Sequence, residues 1–357
     1  MSRVLLDGSE AMAEAMLLAG VRFYSGYPMA PSTDLLEHMA DKLPAAGGVF
    51  INAETELSAV NMAIGAGMTG FRAATGSTGQ GVSLMQEAIA ECALHETPLV
   101  VFTIGRMQQD YTQSTRGGGW GDYRTICVSP KDVPEAFELT QLIFHLTDKY
   151  RMPGILLTDG MLARTHVSIE LKPQEFEALP AKDWALDGTK TGTGKSRNYW
   201  TWNMGKHNNP GVGPSVHWTN LAQKFEHVAA TESRWEQRFT EDAEVLVVAF
   251  GTAAKFVEYV VEEMRTEGLR VGFFRPITLW PFPTNALERA SAAARVVAVF
   301  EINAGQMLDD VKLSVCDKFR VRAIGGISSD RSGMNIGPML DAPVIRARVQ
   351  TLLEDGR

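Results

Sequence analysis

Short apolar runs alternate with amphipathic stretches along most of the chain. Val21–Tyr24, Val49–Asn52, Phe71–Thr75, Pro98–Ile104, Ile126–Ser129 and Gly154–Asp159 are compact and mostly apolar, as strands are when both faces of a parallel sheet are covered. The intervening stretches 8–19, 33–43, 57–64, 82–92 and 133–149 carry helical spacing. Ser9, Ser32, Thr33 and Asp34 are placed to cap helix starts, and Gly20 to close one. From Val245 the alternation resumes with strands at Val245–Phe250, Arg270–Phe274, Val296–Phe300 and Arg320–Ile324, and helices near 252–267, 284–293, 305–317 and from Ala342. The pattern predicts an α/β protein with a parallel-sheet domain over residues 1–171 and a smaller α/β domain over 243–357. Residues 172–242 scatter Gly, Asn, Thr and Pro among Trp184, Trp200, Trp202 and Trp218. Aromatics in that number need a surface to pack on, so this reads as a structured crossing segment. Residues 106–124 show no periodicity and read as a functional or mobile loop.

A length of 357 residues also favours two domains, since it exceeds the size at which one core stops growing. The net charge of −8, without a basic run, excludes a nucleic-acid or anionic-membrane surface. No stretch approaches the about 20 apolar residues of a membrane span, and Met1–Asp7 does not open like a secretory leader. A cytoplasmic protein is therefore expected. Cys92, Cys127 and Cys316 are far apart and odd in number, so no disulfide framework, zinc site or iron–sulfur ligand set can be written from them. No metal site is expected here, and any cluster this protein works with belongs on another chain.

The chemistry concentrates between Phe50 and Gly81. Glu54 stands at the mouth of one strand and the run Thr75-Gly76-Ser77-Thr78-Gly79-Gln80-Gly81 at the mouth of another, where open parallel sheets receive ligands. A glycine turn before a helix can cradle phosphate, which keeps a nicotinamide dehydrogenase as an alternative. Against it, the spacing is not G-x-G-x-x-G and the turn follows the third strand of the domain, not the first. Gly188 to Ser196 ends like a Walker A loop, but Thr189 occupies its first glycine position and no strand precedes it. Glu54 and Glu56, two apart, diverge on a helix and cannot form a paired-carboxylate site. Glu56 reads as a solvated acid favoured by a helix start. Glu54 stands out by its place beside the loop of Tyr27 and Pro28 and the strand ending at Arg106. The seven histidines show no metal-ligand spacing.

Gly26-Tyr27-Pro28-Met29-Ala30-Pro31-Ser32-Thr33 resembles the Gly-Tyr-Pro-Ile-Thr-Pro-Ser signature of the alpha-type subunits of 2-oxoacid:ferredoxin oxidoreductases. Asn52-Ala53-Glu54 and Ser83-Leu84-Met85-Gln86-Glu87 are similar to further motifs of that family. The run from Gly117 to Thr125 looks most like the 2-oxoisovalerate (branched-chain) type, then the 2-oxoglutarate type. Phe274 to Pro283 and Glu301 to Met307 resemble the corresponding later segments, in the same order. The resemblance implies a thiamine-diphosphate pyrimidine-binding domain followed by a transketolase-C-terminal-like domain. It implies oxidative decarboxylation of a 2-oxoacid, acyl transfer to coenzyme A, and electrons leaving through iron–sulfur clusters on partner chains to ferredoxin or another acceptor.

The same resemblance places the diphosphate and its Mg2+ on a beta subunit, because this chain lacks the Gly-Asp-Gly motif, and implies an iron–sulfur subunit. The gamma-type domain fused to this chain in some relatives is expected as a separate polypeptide. Tyr27, Pro28, Glu54, Thr78 and Gly79 would face the cofactor, with Glu54 the catalytic carboxylate at the pyrimidine N1′. Ala30, Ser32 and Arg106 would face the substrate, the arginine gripping its carboxylate. Ala30 replaces the family threonine and Met29 its isoleucine. That leaves the oxoacid open between a bulkier or more apolar one, aryl included, and an unchanged one held by Ser32 or Thr33. A non-catalytic assembly subunit is the other reading of the same substitution.

Overall fold

The computed structural model describes residues 3–186, 214–327 and 340–355. β1 (Arg3–Leu6) leads into α1 (Gly8–Leu18), β2 (Val21–Gly26), α2 (Thr33–Ala45), β3 (Val49–Asn52), α3 (Glu56–Met68), β4 (Arg72–Ser77), α4 (Gln80–Leu94) and β5 (Leu99–Gly105). After a 3-10 turn at Gln108–Asp110 come α5 (Tyr111–Thr115), β6 (Ile126–Val128), α6 (Val133–Tyr150), β7 (Pro153–Asp159), α7 (Gly160–Arg164) and β8 (Val167–Glu170). The later part holds α8 (Pro214–Thr231), β9 (Trp235–Arg238), β10 (Val245–Ala249), α9 (Gly251–Thr266), β11 (Val271–Pro276) and β12 (Thr278–Trp280). It ends with α10 (Thr284–Ala290), β13 (Val296–Phe300), α11 (Gln306–Ser314), β14 (Val321–Ala323) and α12 (Ala342–Glu354).

A seven-stranded sheet runs β12-β6-β7-β5-β4-β2-β3 and is parallel except for β12. β5 is buried along its whole length, as the central apolar run predicts. A five-stranded sheet runs β14-β13-β10-β11-β9, with only β9 antiparallel. β1 pairs with β8 apart from both. The start of α1 is capped by Asp7 and not by Ser9: Asp7 accepts from Glu10 N–H at 2.8 Å, while Glu10 accepts from Asp7 N–H at 3.0 Å. That reciprocal pair is the stronger cap, and it leaves Ser9 inside the helix and buried.

Two of the ties between the two sheets lie at one corner. β12 leaves the second domain directly after β11 and pairs with β6 at the edge of the first sheet, with Ser129 N–H donating to Ile277 O at 2.9 Å. Beside this corner Arg275, fully buried on β11, donates through both terminal nitrogens to Glu135 of α6, and its Nε lies 2.8 Å from Glu236. Lys131 reaches Glu236 and Glu258, each at 2.7 Å. A guanidinium taken out of water needs anionic partners of this kind, and here the two terminal nitrogens are hydrogen-bonded while Nε has Glu236 beside it as a charge without a hydrogen bond.

The stretch 106–124 is ordered, and the described part of the crossing segment holds a helix. Residues 106–124 contain the 3-10 turn and α5, with Tyr111, Ser114 and Thr115 buried. The glycine run beyond rests on α4, where a Cβ at Gly119 would lie 2.4 Å from the Ala90 Cβ and 2.5 Å from Gln86 O. Tyr123 Oη accepts from the N–H groups of Gly118 and Gly119 at 3.0 and 3.1 Å, so the segment is pinned and not a free loop. In the crossing segment, α8 is a helix the composition does not reveal. Lys224 pairs with Glu96 at 3.0 Å, and Trp218 meets Trp120 edge-on. The Walker-like run Gly188 to Ser196, Trp200 and Trp202 lie outside the described residues, as do residues 328–339. Among the described residues no helix is long and apolar enough to cross a membrane, and no group of three His, Cys, Asp or Glu side chains is arranged to hold a metal ion.

Candidate functional site

The expected site residues gather at the carboxyl ends of β2, β3, β4 and β5. Register brings Gly26 opposite Asn52, and Ala53 N–H continues the pairing to Gly26 O at 2.9 Å, so the loop after β2 and the turn after β3 share one mouth. In that loop Tyr27 is half-buried, Pro28 and Ala30 are exposed, and Pro31 is buried behind a cis peptide bond. Ser32 is buried at the start of α2, its N–H donating to Met29 O at 2.8 Å.

The two glutamates differ in burial, and Glu56 departs from its solvated reading. Glu54 is exposed, with Ser58 Oγ donating to it at 2.9 Å. Its own backbone N–H and that hydroxyl hold its carboxyl below the ordinary carboxylate value. Glu56, expected in solvent, is 3% exposed and lies on the stripe Glu56, Ala59, Val60, Ala63, Ile64 and Gly67 that α3 turns inward. Leu57, the apolar residue that opens the stretch 57–64 read as a helix, is exposed. Thr55 caps α3 through Ser58 N–H at 3.1 Å, and a helix begun there turns residue 56 toward β4.

Glu56 reaches the glycine turn. Ser77 Oγ donates to its Oε1 at 3.2 Å and makes a 3.9 Å contact with Met29 Sδ, which joins the three loops. A Cβ on Gly81 would lie 2.0 Å from Ser77 Oγ and 2.3 Å from Glu56 Oε1, so only glycine lets the carboxylate come this close. The Thr78 hydroxyl is buried and has no partner among the described residues, and such a buried group calls for an explanation. Gly79, at φ +48°, adopts a conformation that side chains resist.

Arg106 is exposed at the end of β5. Four residues later Asp110 is buried, and desolvation raises its carboxyl above the ordinary value against the pull of the Gln113 amide, Gly79 N–H and Arg106. Gln113 Nε2 donates to Asp110 Oδ1 at 2.5 Å and to Gly79 O at 3.1 Å. Gln113 thus links the Gly79 carbonyl to Asp110. Glu56, Ser77, Asp110 and Gln113 are the members of the site that the sequence reading passed over. For Glu56 the signal existed, in its three-, four- and seven-residue spacing to Ala59, Val60 and Ala63. For Asp110 and Gln113 there was none.

Two carboxylates therefore face the start of α4, where a phosphate cradle needs free N–H groups and no competing anion. The geometry suits a ring that exchanges a proton with a buried acid.

Residues 14–238 match the profile of pyruvate flavodoxin/ferredoxin oxidoreductases, thiamine-diphosphate-binding domain, and residues 243–334 match core domain II of pyruvate:ferredoxin oxidoreductase. The chain belongs to the pyruvate flavodoxin/ferredoxin oxidoreductase family. It is 33% identical over 331 residues to the ketoisovalerate oxidoreductase subunit VorB of Methanothermobacter thermautotrophicus, covering 88% of this chain and 90% of the relative. It is 32% identical over 349 residues to the 2-oxoglutarate synthase subunit KorA of Methanothermobacter marburgensis, covering 86% and 90%. The fold matches a solved 2-oxoglutarate:ferredoxin oxidoreductase from Magnetococcus marinus with a TM-score of 0.86 at 24% identity, over 99% of this chain and 65% of that one. A split-gene transketolase matches with a TM-score of 0.61 at 13% identity, over 99% of each. As a member of this family the chain is an oxidoreductase subunit of the 2-oxoacid:ferredoxin class.

Proposed function

We propose that Glu56, and not Glu54, is the carboxylate that meets the pyrimidine N1′ of thiamine diphosphate, and that the chain is the pyrimidine-side subunit for oxidative decarboxylation of an apolar 2-oxoacid. The observation that carries this is the buried Glu56 carboxylate under Gly81, hydrogen-bonded by Ser77. The residues fit a flat, proton-exchanging ring: a carboxylate to share the proton, the unpartnered Thr78 hydroxyl to receive a polar ring atom, and glycines in place of side chains at 79 and 81. When bound, the cofactor supplies the nucleophilic carbon and the electron sink that the decarboxylation needs.

The work of the chain is then positional and protonic. Glu56 holds or releases a proton at the ring nitrogen it faces. Ser77 fixes the carboxylate, Tyr27 and Pro28 wall the ring, and Thr78 and Gly79 form its floor. Arg106 offers two parallel donors to the substrate carboxylate. Met29 and Ala30 leave the neighbouring wall without a hydroxyl, which favours a branched-chain or aryl oxoacid over 2-oxoglutarate, with Ser32 behind them.

The carboxylates around the glycine turn disfavour a diphosphate on this chain, which supports its placement with Mg2+ on a beta subunit. They weaken the nicotinamide reading for the same reason. The relatives are named as subunits, in keeping with iron–sulfur and separate gamma-type partners in the cytoplasm, coenzyme A as acyl acceptor, and ferredoxin or another carrier as electron acceptor.

The assembled complex, loaded with thiamine diphosphate and coenzyme A, should reduce a viologen dye faster with 2-oxoisovalerate or an arylglyoxylate than with pyruvate or 2-oxoglutarate. A 2-oxoglutarate preference would overturn the apolar pocket. Cofactor-saturated complex inert toward every oxoacid would instead make this a non-catalytic assembly subunit.

A further inference from the structure

Between Arg106 and the glycine run, the chain has two sides with different attachments. Gln108 donates to Phe250 O and accepts from Ile302 N–H, both at 2.8 Å, and its carbonyl accepts from Asn303 at 2.8 Å. Gln306 Oε1 accepts from Thr112 N–H at 2.7 Å, and its Nε2 donates to Gln109 O at 2.9 Å. Tyr111 Oη donates to Asp310 Oδ2 at 2.6 Å, and Arg116 Nη2 donates to Asp310 Oδ1 at 2.8 Å. All these partners belong to the second domain. Gln113, on the same turn, donates instead to Gly79 O and to Asp110. The segment is a splint with one side bonded to the second domain and the other to the glycine turn.

We infer that Asp310 is a positioning residue for Arg106, acting from the second domain through Tyr111 and Arg116. Arg106 has no hydrogen bond or ion pair of its own among the described residues, so its aim is set by the backbone that follows it. That backbone is held at its two helical ends by one buried carboxylate. Burial and the Asp310 carboxylate push the Tyr111 phenol well above its ordinary value, so it remains a donor. A carboxylate that accepts two such bonds, one charge-assisted, fixes direction as well as distance. The inference rests on the reading of Arg106 as the group that grips the substrate carboxylate.

The test is a double-mutant cycle in the assembled complex. Asp310→Asn keeps the volume but turns an amide N–H toward one donor. It is expected to raise KM for the 2-oxoacid about tenfold with a smaller change in kcat, short of the ~10²-fold that a 1 Å misplacement can cost. In an Arg106→Ala background the same substitution should leave KM where Arg106→Ala alone puts it. Tyr111→Phe, which removes only the hydroxyl, carries the same test should Asp310→Asn fail to assemble. Additive KM effects, or an unchanged KM in Asp310→Asn and Tyr111→Phe, would reduce the contact to interdomain adhesion and overturn the inference. An unchanged KM in Arg106→Ala would overturn the reading of Arg106 and the inference with it, so the two failures are told apart by which variant is silent.

Discussion

Glu56→Gln in the assembled complex is expected to lower 2-oxoacid-dependent dye reduction by about 10²–10⁴-fold, the range a positioned acid–base group supplies. The substitution keeps the side-chain volume and an oxygen to accept from Ser77, so assembly and cofactor uptake should survive. What disappears is a group able to take up and return a proton inside a buried pocket. Glu54→Gln is the internal control, because Glu54 lies in solvent with Ser58 as its bonded neighbour, and its turnover should stay near wild type. The measurement is the single-turnover rate of each variant alongside a thiamine diphosphate titration. Loss with Glu54→Gln and retention with Glu56→Gln would return the role to the residue favoured by the motif.

The second large effect concerns the whole chain and not the site. Arg275→Ala is expected to destabilise the protein by about 3–5 kcal/mol, as breaking a buried pair does when one partner is removed. Glu135 would lose both guanidinium bonds, and Glu236 would keep Lys131 as its cation. Urea unfolding followed by far-UV circular dichroism reads the loss. Because Arg275 is fully buried, added salt should recover little of it. Replacing both charges, as Arg275→Met with Glu135→Leu, should recover a good part, whereas a loss below 1 kcal/mol in Arg275→Ala would mean that water or neighbouring groups already carry the charge.

How far the sequence could be read depended on the type of force at each place. The parallel strands of both sheets were legible because a parallel strand covered on both faces must be apolar, as β5 and β10 are, whereas the antiparallel edge strands β9 and β12 were not read. The site was legible as a location, since Gly26 to Thr33, Glu54 and the run after β4 all mark strand ends. The burial of Glu56, the carboxylate proposed for proton exchange, was missed by one helical phase, when it was read outward and α3 turns it inward. An apolar residue exposed in an isolated chain and an acid buried for chemistry both invert the usual hydrophobic rule. The splint and the grip on Gly79 left no trace because they are held by polar contacts between residues far apart in sequence, for which periodicity has no signal.

The exchange of β12 between the two halves has a consequence for how such a gene can be divided. Cut after residue 242, the leading fragment would carry β6 as a bare rim, its outward amide and carbonyl groups offered to any strand that passes. An unguarded rim of that kind is a template for aggregation. A fissioned descendant of this protein would need the separated fragment returned promptly, or a charged or proline-bearing substitute grafted onto that border.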